Sequence, residues 1–525
     1  MRYGKLSGLA LGLGLLLAAC GGKNNEAALK QAAEIQKGIE DYLAVMEGPA
    51  EVRVLSHEKV TVALPEKGEG FLVTVDGVKL GSKEAGFLQI GQVAYALAAK
   101  DAKTYTASDL KIAGLMPFIG VDGKQSGALK LTPGAFAAEW SSELQTFLSL
   151  DFTATDLQAA DSAGSGADIR AKLLSWKHQG TDKGSGVSDI VGTLGLEGFS
   201  AKDTTDGTVA MDKLTGKFSI SGLRMAVYLE QVKKLRDVMG RLSAVAEAEA
   251  KAATAGADAS AQPATPVPAP AQLSDADKKV LADYVRAIPK MFSGFLYQFD
   301  IAGLSFTAAD GSKPFALGAA GFSFGAGGID AEKAQIDLGI SHDGLALSDP
   351  EFNDPLIKAV LPKTGSLALS LTDIPTQKLL DTVADALPNM LVNDPAMAEA
   401  GAYMVMGSLT QLLQQSNLKL KVNPSSWTGE VTTLKANGDF LVNPQSVMGA
   451  VGTLHLALSG LDELIKLAGD LAQTSPDAGQ IIGMLQMLQS MAQRENGSDG
   501  KPVDNFKVEV KPTGETLVND KPLPF

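Results

Sequence analysis

A serine between two glycines, Gly321-Phe322-Ser323-Phe324-Gly325, fits the G-x-S-x-G elbow that lifts a nucleophile out of a strand-to-helix turn. His342, Asp343 and His455 lie downstream and could supply a base and its partner. The surrounding residues, however, read as strand, glycine-rich turn and strand, which predicts Phe322 and Phe324 on a buried face instead of an elbow. A serine hydrolase using Ser323 is therefore the distant alternative, and no residue is assigned a catalytic role. The four histidines, His57, His178, His342 and His455, are too far apart in sequence for a paired zinc-ligand spacing. Neither a G-x-x-x-x-G-K-[ST] phosphate loop nor a strand–G-x-G-x-x-G–helix unit occurs. Asp203-Thr204-Thr205-Asp206-Gly207 and the pair Asp499 and Asp504 are fragments of calcium loops, and solvated turns explain them better. No metal site and no cofactor is expected. Met390, Met397, Met404, Met406, Met448, Met484, Met487 and Met491 crowd the last third, as core filler or as an adaptable apolar surface.

The single cysteine excludes an internal disulfide framework, but its setting is specific. Arg2 and Lys5 precede an apolar run from Leu6 to Ala19, which is shorter than the ~20 residues a spanning helix needs and matches a secretory signal. Leu17-Ala18-Ala19-Cys20 resembles the lipobox of bacterial lipoprotein precursors. That resemblance implies cleavage before Cys20, acylation of its thiol and a lasting lipid anchor, which takes two or more chains. Gly21 stands where some such lipoproteins carry the aspartate that retains them at the inner membrane, so the outer membrane is favoured. Residues 1–19 are read as signal peptide and 20–25 as a lipidated tether. Five extended residues reach only about 17 Å, which holds the body near the bilayer.

The elements behind these residues are mainly strands. Period-two alternation recurs at Val60-Thr61-Val62, Phe71 to Val75, Phe218 to Ile220, Phe295 to Ile301, Leu367 to Leu371, Leu418 to Val422, Leu454 to Leu458 and Phe506 to Val510. Alternation of this kind belongs to antiparallel strands with one buried face, ten to eighteen of them here. Glycine followed by Leu or Phe ends many of them, as at Gly114, Gly198, Gly222, Gly303, Gly344 and Gly460, and glycine at such places marks bulges or bends. Helices are expected over about 26–46, 133–150, from 225 into the Ala/Glu tract, 275–292, 377–388, 395–415, 461–471 and 481–491. The fold class is α+β and β-rich: a large curved, mainly antiparallel sheet with amphipathic helices on one face, arranged as one body or as two similar halves. Those halves would be 26–243 and 273–525. The Ala/Pro-rich stretch 244–272 between them is a disordered linker or the tip of a helical hairpin.

With 46 Lys+Arg against 60 Asp+Glu, the net charge of −14 argues against nucleic acid. Pro522 and Pro524 break the terminal strand pattern that a membrane barrel would end on. In its many alternating strands, strand-end Gly-Leu pairs and glycine-rich turns, the body resembles large bacterial periplasmic proteins of unknown function and the AsmA-like envelope proteins that carry lipids. The resemblance lies in composition and rhythm, so no site residue is carried over from it. It implies a non-catalytic, membrane-anchored periplasmic lipoprotein that binds lipid or another hydrophobic ligand. The alternative is an envelope scaffold that binds a protein partner.

Overall fold

The computed structural model describes residues 24–47, 54–66, 69–82, 86–161, 168–203, 205–257, 274–348, 352–391, 395–443, 446, 449–472, 476–497 and 500–522. The signal region, Cys20 and residues 258–273 of the Ala/Pro-rich stretch lie outside them. The fold is β-rich, and its strand pairings are antiparallel. Among the described residues no helix is long and apolar enough to cross a membrane. The chain divides into two compact units, residues 1–163 with 175–181 and residues 164–174 with 182–525.

The first unit opens with helix α1 (Asn24–Glu47) and continues through β1 (Leu55–Ser56), β2 (Lys59–Ala63), β3 (Phe71–Ser82), β4 (Gly86–Ala99), β5 (Thr104–Lys111), β6 (Leu115–Ile119), β7 (Gln125–Ser141) and β8 (Thr146–Asp161). β5 and β6 lie end to end between β4 and β7, and the break falls at Gly114. Ala32, Ile35 and Ile39 of α1 pack into a core with Val60, Val73, Leu97, Tyr105, Ala107, Ala138 and Trp140. Their i, i+3, i+7 spacing gives α1 one apolar stripe, and that stripe fills the apolar face of this sheet. The helix expected over 133–150 is instead the β7–β8 hairpin, in which Phe136 opposes Phe152 and Ala138 opposes Leu150. Alanine, glutamate and leucine favour helix in isolation, but burying Phe136, Ala138 and Trp140 on one face decides for strand.

Strand β9 (Asp168–Gly184) contributes residues to both units. The second unit runs through β10 (Val187–Asp203), β11 (Gly207–Arg224), helix α2 (Met225–Ala257), α3 (Asp275–Met291), β12 (Gly294–Ala308), β13 (Phe315–Gly327), β14 (Ala334–Asp343), β15 (Ala346–Leu347) and α4 (Pro355–Val360). It continues with β16 (Thr364–Ile374), α5 (Thr376–Met390), α6 (Pro395–Gln415), β17 (Lys419–Thr428), β18 (Thr433–Val442) and β19 (Ala450–Ser459). The last elements are α7 (Leu461–Leu471), α8 (Pro476–Met491), β20 (Gln493–Asn496), β21 (Pro502–Val510), β22 (Thr516–Val518) and β23 (Lys521–Pro522).

The boundary between the units falls in β9 and not at 244–272. β11 pairs directly with β12, so α2 and α3 form an excursion between two neighbouring strands. Ser274 caps α3 in a capping box with Asp277, and Arg241 of α2 pairs with the Asp277 carboxylate. That guanidinium, ahead of the Ser274 hydroxyl, holds Asp277 below the usual carboxylate range. α3 continues past Pro289 to Met291, and α5 likewise past Pro388, where a stop is expected from sequence.

Several strand-end glycines sit where the ladder is interrupted. Gly198 in β10 and Gly303 in β12 face the same residue of β11, Asp212, and the paired positions lapse there while the register stays the same on either side. Both glycines have left-handed φ, 63° and 64°, which any other L-residue adopts only at a cost. The lapse is thus aligned across three neighbouring strands.

Candidate functional site

The functional surface follows from register. Within the second unit, Gly192, Phe218, Tyr297, Phe324, Leu338, Leu369, Val422, Gly438, Leu454 and Val508 lie opposite one another across ten strands. The neighbouring row on the same face runs from Ile190 through Ile220, Phe295, Ala326, Ile336, Leu371, Leu420, Phe440 and Gly452 to Val510. Apart from the Tyr297 hydroxyl, neither row contains a polar side-chain group. Side chains of one strand alternate between faces, so the intervening row belongs to the other side. That row reads Asp337, Ser370, Lys421, Asp439, Thr453 and Glu509 over its last six strands.

The apolar face is not closed over. Tyr297, Phe299 and Phe322 remain 40–42% exposed, Phe324 36% and Ile340 48%. Phe322 and Phe324, expected on a buried face, therefore lie on the apolar face but uncovered. The helices of this unit pack largely on one another: α2 with α3, α3 with α5, α5 with α6, and α7 with α8. Among the described residues, a small core at the strand ends, Ala334, Ile374 and Leu418 with Leu379 of α5, joins the helices to the face.

The face becomes polar toward one end of its strands. There Ala320, His342, Gly365 and Trp427 lie side by side. A Cβ on Gly365 would collide with the His342 ring and crowd Trp427, so glycine is required for this packing. The Nδ1 of His342 is buried and has no hydrogen-bond partner among the described residues. Farther along the same row Asp504 is 1% exposed, and Arg494 clasps it through Nε and Nη2 at 2.9 and 3.0 Å. The same guanidinium reaches Asp462 in the first turn of α7 at 3.0 Å, and the two carboxylates, Asp504 foremost, raise its pKa. Asp504 is thus a buried structural anion, contrary to the solvated turn expected from sequence, and Asp499 lies outside the described residues.

The candidate catalytic residues are not brought together. Ser323 is mid-strand in β13, opposite Gln298 and Gly339, and the chain does not turn into a helix there. His342 belongs to the opposite face by alternation, and His455 lies on β19. Asp203 accepts backbone hydrogen bonds from Thr205 at 2.7 Å and Asp206 at 3.3 Å, which makes it a turn former. Among the described residues no group of three metal-ligating side chains occurs.

Two depressions open on the polar side. The larger, about 610 Å³, is lined by Lys435, Asn437, His455, Asn505 and Lys507. The smaller, about 340 Å³, is lined by Lys213, Asp300, Ser341 and Asp343. The lysines and amides of the larger one carry no local sequence motif, since they come from three strands and meet only through register. The apolar rows were legible strand by strand, whereas their lack of a cover depends on helices whose placement no local pattern encodes. No family model, curated protein or solved structure matches this chain.

Proposed function

We propose that this protein is a non-catalytic lipid carrier of the bacterial envelope, anchored through Cys20 on the periplasmic side, in the outer membrane. The observation that carries this reading is the pair of apolar rows, uninterrupted over ten strands and left half-uncovered. Ten strands make nine steps of about 4.8 Å, a span of about 43 Å. One leaflet of bilayer hydrocarbon is only about 15 Å thick, so acyl chains laid across the strands fit with room to spare. Each methylene moved from water onto the face contributes about 0.8 kcal/mol. A protein partner would need several polar groups to fix its register, and the two rows offer only the Tyr297 hydroxyl. Left-handed glycines aligned at Gly198 and Gly303 on either side of Asp212 support a bend in the sheet, since glycine within a strand often marks a tight bend. In this reading the sheet curves around its ligand, with the helices along one side.

The test uses the chain from Gly21 onward, which retains every described element, incubated with vesicles of bacterial membrane lipid, repurified and analysed by native mass spectrometry. Co-purified lipid is expected. Phe322→Asp with Ile340→Asp places two carboxylates in mid-face and should cut the bound lipid at least tenfold. Thr193→Asp, exposed on the opposite face, should leave it unchanged. Empty wild-type preparations, or equal loss in both variants, would refute the proposal. A stoichiometric protein in place of lipid would favour a scaffold.

A further inference from the structure

We infer that helix α6 docks on a lipid bilayer and loads the apolar face from it; the inference rests on the carrier function proposed above. Charged residues make up 20% of this chain, yet from Ala400 to Gln415 there is none. The inner side of α6 packs on α5: Val405 is buried, and Gly401 lets the helix approach the Asn389 carbonyl closely. Its outer side leaves Tyr403 70%, Met404 60% and Met406 62% exposed. Those values exceed the exposure of any apolar residue on the sheet face; the exposed Ser408, Thr410 and Gln411 that follow are neutral, and the nearest charge on the helix is the exposed Glu399, one turn before Tyr403.

The chemistry fits a fluid hydrocarbon boundary. Tyrosine is enriched at membrane–water interfaces, where its ring is apolar and its hydroxyl wet. Methionine side chains are unbranched and adapt to a surface without fixed shape. Without lysine or arginine the helix has no preference for anionic headgroups, so contact relies on apolar burial alone. Location is the second observation. The α5–α6 excursion leaves the sheet at Ile374 and returns at Leu418, and both lie in the small core with Ile336 and Leu371. Those last two belong to the apolar rows. This buried core therefore ties the roots of the α5–α6 excursion to the apolar face, so α6 is carried by the segment that borders the face.

The experiment mixes the chain from Gly21 onward with phosphatidylcholine vesicles and separates bound protein by flotation. Binding is expected, and it should change less than twofold between 0.1 and 1 M NaCl. Tyr403→Gln/Met404→Gln/Met406→Gln should weaken it at least tenfold with an unchanged circular dichroism spectrum. Gln411→Leu should strengthen it. The triple variant should still take up lipid from detergent micelles but lose transfer from vesicles. Phe322→Asp/Ile340→Asp should bind vesicles as well as wild type, so failure of the carrier function and failure of docking are read separately. Wild type that does not float, or a triple variant that floats equally, overturns the inference. So does a wild-type dimer that the triple variant dissolves, because a second copy then covers α6.

Discussion

Asp504 is a deeply buried ionisable group at the polar end of the face, and a carboxylate persists there only with a counter-charge and satisfied oxygens. Arg494 supplies both through its two-pronged contact. Arg494→Met should therefore destabilise the second unit by about 3 kcal/mol, measured by urea denaturation, because the buried anion loses its partner. Arg494→Met with Asp504→Leu should recover most of that loss, since no unpaired charge is then buried. His178 belongs to the first unit and illustrates the opposite sign. Burial lowers its pKa, against a smaller upward push from the Phe147 carbonyl, which accepts from Nε2 at 3.1 Å. The unfolded chain, with an ordinary histidine pKa of about 6.5, then binds the proton more readily than the folded one. Stability should fall as pH drops from about 7 through 6.5 toward the depressed folded value, and then level off. Melting followed by tryptophan fluorescence should show that loss reduced in His178→Gln. Neither role is legible in sequence: Asp504 resembles a turn acid, and the alternation around His178 does not say how deeply the strand is buried.

Among the elements, most helices and strands follow directly from periodicity, as in Leu367-Ala368-Leu369-Ser370-Leu371 of β16. The β7–β8 hairpin does not, because Ala135, Ala137 and Ala138 blur the contrast between its two faces, and the decisive Trp140 is a single residue. Its ring is fully buried among Tyr42, Phe147 and the rest of the first core. The repeated Gly-Leu phrase is legible as a motif, but its meaning is not uniform. At Gly114 and Gly344 a strand breaks and resumes in line, whereas at Gly198 and Gly303 the strand runs on and the pairing lapses without a change of register. Gly303→Ala should cost about 2 kcal/mol by chemical denaturation: the left-handed backbone disfavours any Cβ, and this one would run into the Asp212 carboxylate. Asp212→Ala in the same chain should relieve the collision and leave about 1 kcal/mol, the backbone share alone.

At the scale of the whole molecule, the two units solve the same problem differently. Each has a sheet with an apolar face; the first covers it with α1 from its own chain, and the second leaves it half bare. A ligand on the second face should stabilise that unit by mass action, by about 2.7 kcal/mol at a hundredfold excess over Kd. The three tryptophans allow the units to be followed separately, since Trp140 and Trp176 fall in the first and Trp427 in the second. In Trp140→Phe/Trp176→Phe, delipidation should lower the melting transition, while in Trp427→Phe the fluorescence transition should hold its midpoint. Direct pairing of β11 with β12 has a consequence for handling the protein. Thirteen paired positions hold these strands side by side, while the covalent route between them detours through two helices. A protease cut made between α2 and α3 should yield two pieces that co-elute as one particle. The same place would accept a foreign domain or new chain ends with the ladder intact.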